Sequence, residues 1–233
     1  MNNRLKTVGG DFKKLFVEWG EYYSLPRGWK LKQWLILVEF LLLVWIAAYF
    51  DESVRYFSLT MHGPLEDKIA AFVHSFGTGK PSLYIFLAIY LGGLIARSER
   101  VRLGGLMILQ SFLYSGLITI LLKSLVGRWR PNQWHGNLTF HPFIFGPNAY
   151  LSFPSGDVAV VFALSVVMAG LWRNRVWQFA WILLAVLTSF SRIYYNAHWL
   201  SDVIFSTVNA CVAGVWVVRR YRSALERGTR ATA

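Results

Sequence analysis

Cysteine is nearly missing from this chain: a single residue, Cys211, among 233. One thiol excludes an intramolecular disulfide and a cysteine-based metal cluster. Its place in an apolar run reads as a packed, inert side chain. Charge is scarce as well. Only 15% of residues are charged while 55% are hydrophobic, and mean hydropathy is +0.40. So little charge excludes an ordinary soluble domain and points to one compact membrane-embedded domain; two soluble domains would need linkers, and none is found. The chain lacks internal repeats, low-complexity tracts and heptad runs. It also lacks any spacing that resembles a zinc or magnesium ligand set. Met1 to Lys30 has no short apolar core followed by a small-residue cleavage site, so no removable signal peptide is expected.

Acidic residues are the scarcer sign, 12 against 24 Lys and Arg, for a net charge of +12. Such an excess raises nucleic acid as a partner, but the distribution argues against it. Most of the basic residues lie in short segments between apolar runs, which is the footprint of membrane topology.

Six runs are long or apolar enough to propose as spans: 33–50, 81–96, 103–122, 154–172, 177–195 and 199–218. The expected fold is all-α, a polytopic bundle of six transmembrane helices over residues 31–218. Residues 1–30 precede it. There Phe12, Leu15, Phe16 and Trp19 recur at helical spacing with Lys13, Lys14 and Glu18 between them, which predicts an amphipathic helix at the membrane surface. A partly disordered tail is the plain alternative. Residues 219–233 form a basic tail. Leu65 to Phe76 predicts a short amphipathic helix broken by Gly77-Thr78-Gly79. The second run is short for a bilayer of roughly 30 Å, so Lys80 is expected to snorkel at its start. Glu39, inside the first run, is expected to face the bundle interior or to snorkel. Trp34, Trp172, Trp177 and Trp199 stand near run ends and fit interfacial belts, although core packing fits each of them alone.

Six spans place both termini on one side. That side carries 17 Lys and Arg, in the N-terminal segment, the 97–102 turn, the 173–175 turn and the tail; the other side carries seven. The basic side is then cytoplasmic.

Three polar clusters fall on the opposite, extracytoplasmic side. Lys123 is followed by Arg130-Pro131. Pro154-Ser155-Gly156-Asp157 opens the fourth run. Arg192, His198 and Asp202 occupy the junction of the fifth and sixth runs. His198 and Asp202 are four residues apart, close enough on a helix to interact, and a carboxylate there fixes the imidazole's tautomer. Arg192 offers a planar fork for phosphate or carboxylate. A buried structural ion pair is the bland alternative for this stretch alone. Together the clusters predict phosphate chemistry. Lys123, Arg130 and Arg192 supply three positive charges for a phosphoryl group. Pro131 is expected to stop the preceding helix and fix the approach of Arg130. Ser155-Gly156 at a helix start offers backbone N–H groups, a hydroxyl and close approach. His198 is then a plausible nucleophile on phosphorus. No metal is required by this set.

These clusters resemble the signature of the type 2 phosphatidic acid phosphatase family, whose soluble relatives include vanadium haloperoxidases. That signature reads Lys, six residues, Arg-Pro; Pro-Ser-Gly-His; then Ser-Arg, five residues, His, three residues, Asp. The first part matches at Lys123, Arg130 and Pro131, the third at Ser191, Arg192, His198 and Asp202, and the run layout matches over roughly residues 31–218. The resemblance implies a metal-independent, cofactor-free hydrolysis of lipid phosphate esters on the extracytoplasmic face. In it Lys123, Arg130, Ser155, Gly156 and Arg192 bind phosphate, and His198 attacks to give a phosphohistidine.

The second part departs: Asp157 stands where the resemblance places a histidine that protonates the leaving alkoxide. Four accounts are open. A protonated Asp157 acts as the acid; the leaving group needs little help, as with a lipid diphosphate; His135 or His141 from the 124–150 connection substitutes; or the site is crippled. The first two are preferred. The expected protein is therefore a multi-pass plasma-membrane lipid phosphatase with cytoplasmic termini. Its expected partners are the bilayer and a lipid phosphate: lipid A, a polyprenyl diphosphate, phosphatidylglycerol phosphate or phosphatidic acid. A lipid phosphotransferase on the same site and a non-catalytic phospholipid-binding or transport protein are the rival readings.

Overall fold

A computed structural model of the chain describes residues 2–172 and 174–231, with side chains described from residue 7 to residue 222 apart from 173. Arg173, and the basic tail beyond Arg222, fall outside the described side chains. Nine α-helices are present among the described residues: α1 (Asn2–Ser24), α2 (Leu31–Tyr49), α3 (Asp51–Leu59), α4 (Pro64–Gly77), α5 (Lys80–Ile95), α6 (Glu99–Val126), α7 (Gly156–Leu171), α8 (Arg175–Tyr194) and α9 (Leu200–Ala231). The architecture is all-α. The one β-like pairing among the described residues is an isolated bridge, Arg128 to Phe140.

Among the described residues, four helices are long and apolar enough to cross a membrane: α2, α6, α8 and the Leu200–Arg222 part of α9. A fifth crossing is available if α4 and α5 count as one span, bent by 50°. The bend falls at Gly79, whose φ of +81° is left-handed, so a residue without Cβ suits it. α7 has 16 residues. At 1.5 Å per residue it is about 24 Å long, short of a roughly 30 Å hydrocarbon core. It is also the helix most enclosed by others, with Val158, Val161, Ala163, Leu164 and Val167 fully buried among α6, α8 and α9.

Lipid tails are as apolar as leucine, so helices in a membrane associate through close packing of small residues more than through hydrophobic burial. A Cβ on Gly105 would stand 2.8 Å from the Tyr90 backbone, and one on Gly214 would stand 2.8 Å from the Val166 side chain. These contacts seat α5 on α6 and α7 on α9.

Several expectations change here. α1 does not simply lie on a surface: Leu15, Tyr22, Asp11 and Glu18 are buried against the bundle while Phe12 and Phe16 stay exposed. Its carboxylates are held, Asp11 by Arg102 and by Tyr90 (2.9 Å), and Glu18 by Gln110 (2.6 Å) and Arg220 (3.1 Å). Glu39 is exposed on α2 and does not face the interior, because α2 buries only Ala47 and sits at the edge of the bundle. Trp199 is core, 1% exposed, with its indole N–H on the Trp129 carbonyl at 2.8 Å. Pro131 does not end α6. Gly127 does, at φ +58°, its N–H returning to the Lys123 carbonyl at 2.9 Å.

Candidate functional site

The ends of α6, α7, α8 and α9 meet, as the three polar clusters require. Gly127 turns the chain out of α6 so tightly that a Cβ there would meet the His141 carbonyl oxygen. That turn sends Arg128 inward and leaves Lys123 and Arg130 on the same side. Lys123 Nζ donates to the Leu151 carbonyl at 2.5 Å. Arg130 donates to the Asn148 carbonyl at 2.9 Å and to Asn148 Oδ1 at 3.0 Å. Both cations are therefore pre-oriented by the 147–151 segment.

Ser155 is the N-cap of α7, fully buried, with Oγ accepting from the Val158 N–H at 3.5 Å. Gly156 follows as the first helical residue. A Cβ at Gly156 would lie 3.8 Å from Lys123 Cε, so the lysine stem passes over the start of α7. Free N–H groups at a helix start and an ammonium beside them suit an anion.

The α8–α9 junction positions the histidine. Asn196, at φ +53°, makes the left-handed step that asparagine tolerates. Its Oδ1 accepts from Arg55 Nε at 3.0 Å. The Ala197 and His198 N–H groups both return to the Arg192 carbonyl, at 3.0 and 3.3 Å. Arg192 and His198 are thus tied through one backbone oxygen.

His198 is 2% exposed, and its Nδ1 lies 3.5 Å from Asp202 Oδ2. That distance is an ion-pair approach and too long for a good hydrogen bond, so Nδ1 counts as unsatisfied. Asp202 itself is fully held. Oδ2 accepts from Ser152 Oγ and from the Trp199 N–H at 3.0 Å; Oδ1 accepts from Arg128 Nη1 at 2.6 Å. Burial pushes the His198 imidazole down to about 4, with Lys123 and Arg130 adding to the effect and Asp202 opposing it. At neutral pH the ring is uncharged and keeps a lone pair, the form a nucleophile needs.

Arg192 is buried, 8% exposed, and its Nε lies 2.9 Å from Asp157 Oδ2. The contact is off the N–H direction, so it pairs charges while leaving the Nε hydrogen without an aligned acceptor. An unfilled guanidinium N–H in a buried site is a donor waiting for an oxygen.

All eight site residues expected from the sequence converge: Lys123, Arg130, Ser155, Gly156, Asp157, Arg192, His198 and Asp202. His135 and His141 do not join them. Both rings pack on Trp129, at centroid distances of 3.9 and 5.8 Å. Sequence reasoning missed three residues. Arg128, 3% exposed, bridges Asp202 to Asp51, with Nη2 at 2.6 Å from Asp51 Oδ2. Asp51 also accepts from the Ser201 N–H at 2.9 Å and the Ser201 hydroxyl at 2.7 Å. His74, on α4, places Nδ1 at 2.5 Å from Arg192 Nη1. The only available signal for Arg128 was its place in an Arg-Trp-Arg run; for His74 there was none. Among the described residues no three His, Cys, Asp or Glu side chains gather as a metal-ligand set.

A helical, multi-pass membrane protein with a cationic pocket around a buried, neutral histidine is the class that this fold and site define. Residues 102–225 match the PAP2 superfamily, and the chain belongs to that family. Two lipid A 1-phosphatases are similar to it. The Rhizobium johnstonii protein is 42% identical over 39% of this chain and 37% of its own length; the Rhizobium etli protein is 39% identical over 43% of each. The chain thus spans less than half the length of these two relatives. The undecaprenyl-diphosphatase BcrC of Bacillus subtilis is 30% identical over 67% of this chain and 75% of its own length. The fold is shared with the crystal structure of a phosphatidylglycerolphosphate phosphatase from Bacillus subtilis, at 20% identity, TM-score 0.62, 80% of this chain and 96% of that one. It is shared too with Aquifex aeolicus LpxE, at 20% identity, TM-score 0.56, 73% of this chain and 95% of that one.

Proposed function

We propose that the protein is an integral-membrane phosphatase that hydrolyses a lipid phosphomonoester or diphosphate at the extracytoplasmic face, without metal, through a phosphohistidine on His198. The observation that carries this reading is the arrangement of Lys123, Arg130 and Arg192 around the buried, neutral His198, beside the open N-terminus of α7.

In this mechanism the phosphoryl oxygens settle among the Lys123 ammonium, the Arg130 and Arg192 guanidinium groups and the first N–H groups of α7. Charge that develops on the oxygens in the transition state meets donors already in place. His198 Nε2 attacks phosphorus in line with the departing oxygen. Nδ1–H turns toward Asp202, which stabilises the growing positive charge on the ring. Arg128 and Ser152 keep Asp202 in position. Water then attacks the phosphohistidine, the P–N bond breaks, and orthophosphate leaves with His198 restored.

Six spans complete the picture, with α4–α5 as one bent crossing and the short, enclosed α7 as another. Both termini are then on the side that holds most Lys and Arg, and the site is on the opposite side. The names of the relatives favour lipid A 1-phosphate and a polyprenyl diphosphate as the substrate classes to try first. The test is a phosphate-release screen of the purified protein against lipid A, a polyprenyl diphosphate, phosphatidylglycerol phosphate and phosphatidic acid. Release from at least one, abolished in His198→Ala, supports the reading; release from none refutes it.

A further inference from the structure

Resting on that phosphatase reading, we infer that His74, from the C-terminal turn of α4, is the group that protonates the leaving oxygen, in the place that Asp157 cannot fill. Three observations lead there. The Arg192 guanidinium is contacted from two sides: Asp157 Oδ2 lies 2.9 Å from Nε, while His74 Nδ1 and Nε2 lie 2.5 and 3.3 Å from Nη1. Asp157 is taken up by a guanidinium nitrogen, which holds its carboxyl against Arg192. The imidazole on the next nitrogen of the same guanidinium does have donor chemistry.

The second observation is how α4 reaches this point. Gly77, one turn beyond His74, is buried against Asp157: a Cβ there would lie 3.1 Å from Asp157 Cβ and 3.0 Å from Thr188 Cγ2. Thr188 Oγ1 donates to the Val73 carbonyl at 2.9 Å. The α4 backbone on both sides of His74 is therefore fixed to α7 and α8, and the ring is not a surface side chain that happens to reach inward. Tyr195 packs edge-on against it at a centroid distance of 5.5 Å.

Third, an apolar cleft opens beside the stretch of α4 that carries His74. It measures about 190 Å³ and runs between α4 and α8, lined by Ile69, Val73, Leu187, Phe190, Ser191 and Tyr194 among others. Val73 precedes His74, and Ser191 precedes Arg192. The cleft thus borders, in sequence, the two residues that meet at 2.5 Å, though neither lines it. His198 has Asp202, Lys123 and Arg130 as its charged neighbours; His74 has Arg192 and Asp157; Lys123 and Arg130 feel both carboxylates. Lys123 and Arg130 are thus within electrostatic reach of the carboxylate beside His198 and of the one beside Arg192 and His74.

His74 faces an Arg192 N–H donor, so that ring nitrogen acts as an acceptor and the imidazole is neutral. A phosphate monoanion that takes over Arg192 Nη1 frees that nitrogen and gives it the P–OH proton, which leaves His74 as the imidazolium and the phosphate dianion among the cations. The step then balances. His198 Nε2 bonds to phosphorus as the P–O bond to the lipid breaks, and the leaving oxygen keeps the electron pair. That oxygen takes the proton of the His74 imidazolium, giving the alcohol and neutral His74. His74 next removes a proton from the water that attacks the phosphohistidine, which restores its imidazolium as the P–N bond breaks.

The experiment compares two leaving groups on the full-length protein in detergent. Dioctanoyl phosphatidic acid releases an alkoxide that needs a proton; p-nitrophenyl phosphate releases a stable phenolate that does not. His74→Asn and His74→Gln should lower kcat/KM, which reports the leaving-group step and not the hydrolysis of the phosphohistidine common to both substrates, by about 10²-fold or more on phosphatidic acid, within the usual range for lost acid catalysis, and by less than about fivefold on p-nitrophenyl phosphate. Equal losses on both substrates, or no loss on either, overturn the assignment and leave the phosphatase reading standing. A wild-type protein that releases phosphate from p-nitrophenyl phosphate and from all four lipids of the screen at no measurable rate overturns both.

Discussion

Arg128 Nη1 stands 2.6 Å from Asp202 Oδ1, so the carboxylate behind His198 is held by a cation that lies 74 residues earlier in the chain. The same guanidinium closes on Asp51 at 2.6 Å, and all three groups are nearly or fully buried. Buried charges of this kind are costly unless every lone pair is met, and here Ser152, Ser201 and the Trp199 N–H meet the remainder.

Removing the bridge strands two buried carboxylates. Arg128→Ala should lower stability by about 3–5 kcal/mol, the usual cost of breaking a buried pair. Arg128→Lys keeps the charge but cannot fork to both partners, so it should fall between wild type and alanine. Denaturant unfolding in detergent measures both. A loss under about 1 kcal/mol for the alanine variant would show that the bridge is not a structural hub.

Gly127→Ala should destabilise the protein by more than about 1 kcal/mol, since alanine at positive φ is strained even where space is free. Here space is not free, because the new Cβ would meet the His141 carbonyl oxygen. Relief of that clash moves Arg128 and Arg130, so phosphate release should drop as well. Thermal unfolding and a rate assay on the same sample check the two effects together.

His198 gives a pH prediction with a definite sign. Its folded value, about 4, lies below its ordinary 6.5. The unfolded chain therefore takes up the proton first as pH falls. The contribution of His198 to stability is intact above about 6.5 and is lost progressively between 6.5 and 4. The nucleophile likewise stays neutral through mildly acidic pH. The profile of kcat/KM for p-nitrophenyl phosphate, corrected for substrate ionisation, should keep its His198 limb near 4. A limb near 6.5 would mean that the ring is not buried as described.

Activity should survive an excess of chelator unchanged. In the proposed mechanism Lys123, Arg130 and Arg192 neutralise the phosphoryl charge, and no ligand cluster gathers among the described residues. Loss of phosphate release in chelator, restored by added divalent metal, would overturn the metal-free chemistry.

The sequence carried the helices well because apolar runs bounded by charge are a local signal, and each of the six proposed spans coincides with a helix. The eight residues that it singles out come together in space for the same reason: each cluster is a short spacing at a helix end. What it could not carry are relationships made by packing. Asp11 and Glu18 look solvated on a basic amphipathic segment, yet Arg102, Gln110 and Arg220 bury them. Arg128 reads as one more loop cation beside Arg130, and only Gly127 decides that it points inward. His74 sits on a plain amphipathic stretch 118 residues from Arg192, and no spacing rule joins the two. Glu39 was placed by its cost in lipid, which does not reveal that α2 lies at the edge of the bundle.

The central claim is that His198 attacks phosphorus. Purified wild-type protein and His198→Ala, both in chelator and both shown folded by thermal unfolding, can be mixed with the lipid phosphate that wild type turns over. Reactions quenched within a turnover should show a phosphoryl group on His198 in wild type, and no phosphorylation or phosphate release in the variant. Phosphate release by His198→Ala at the wild-type rate would contradict the account.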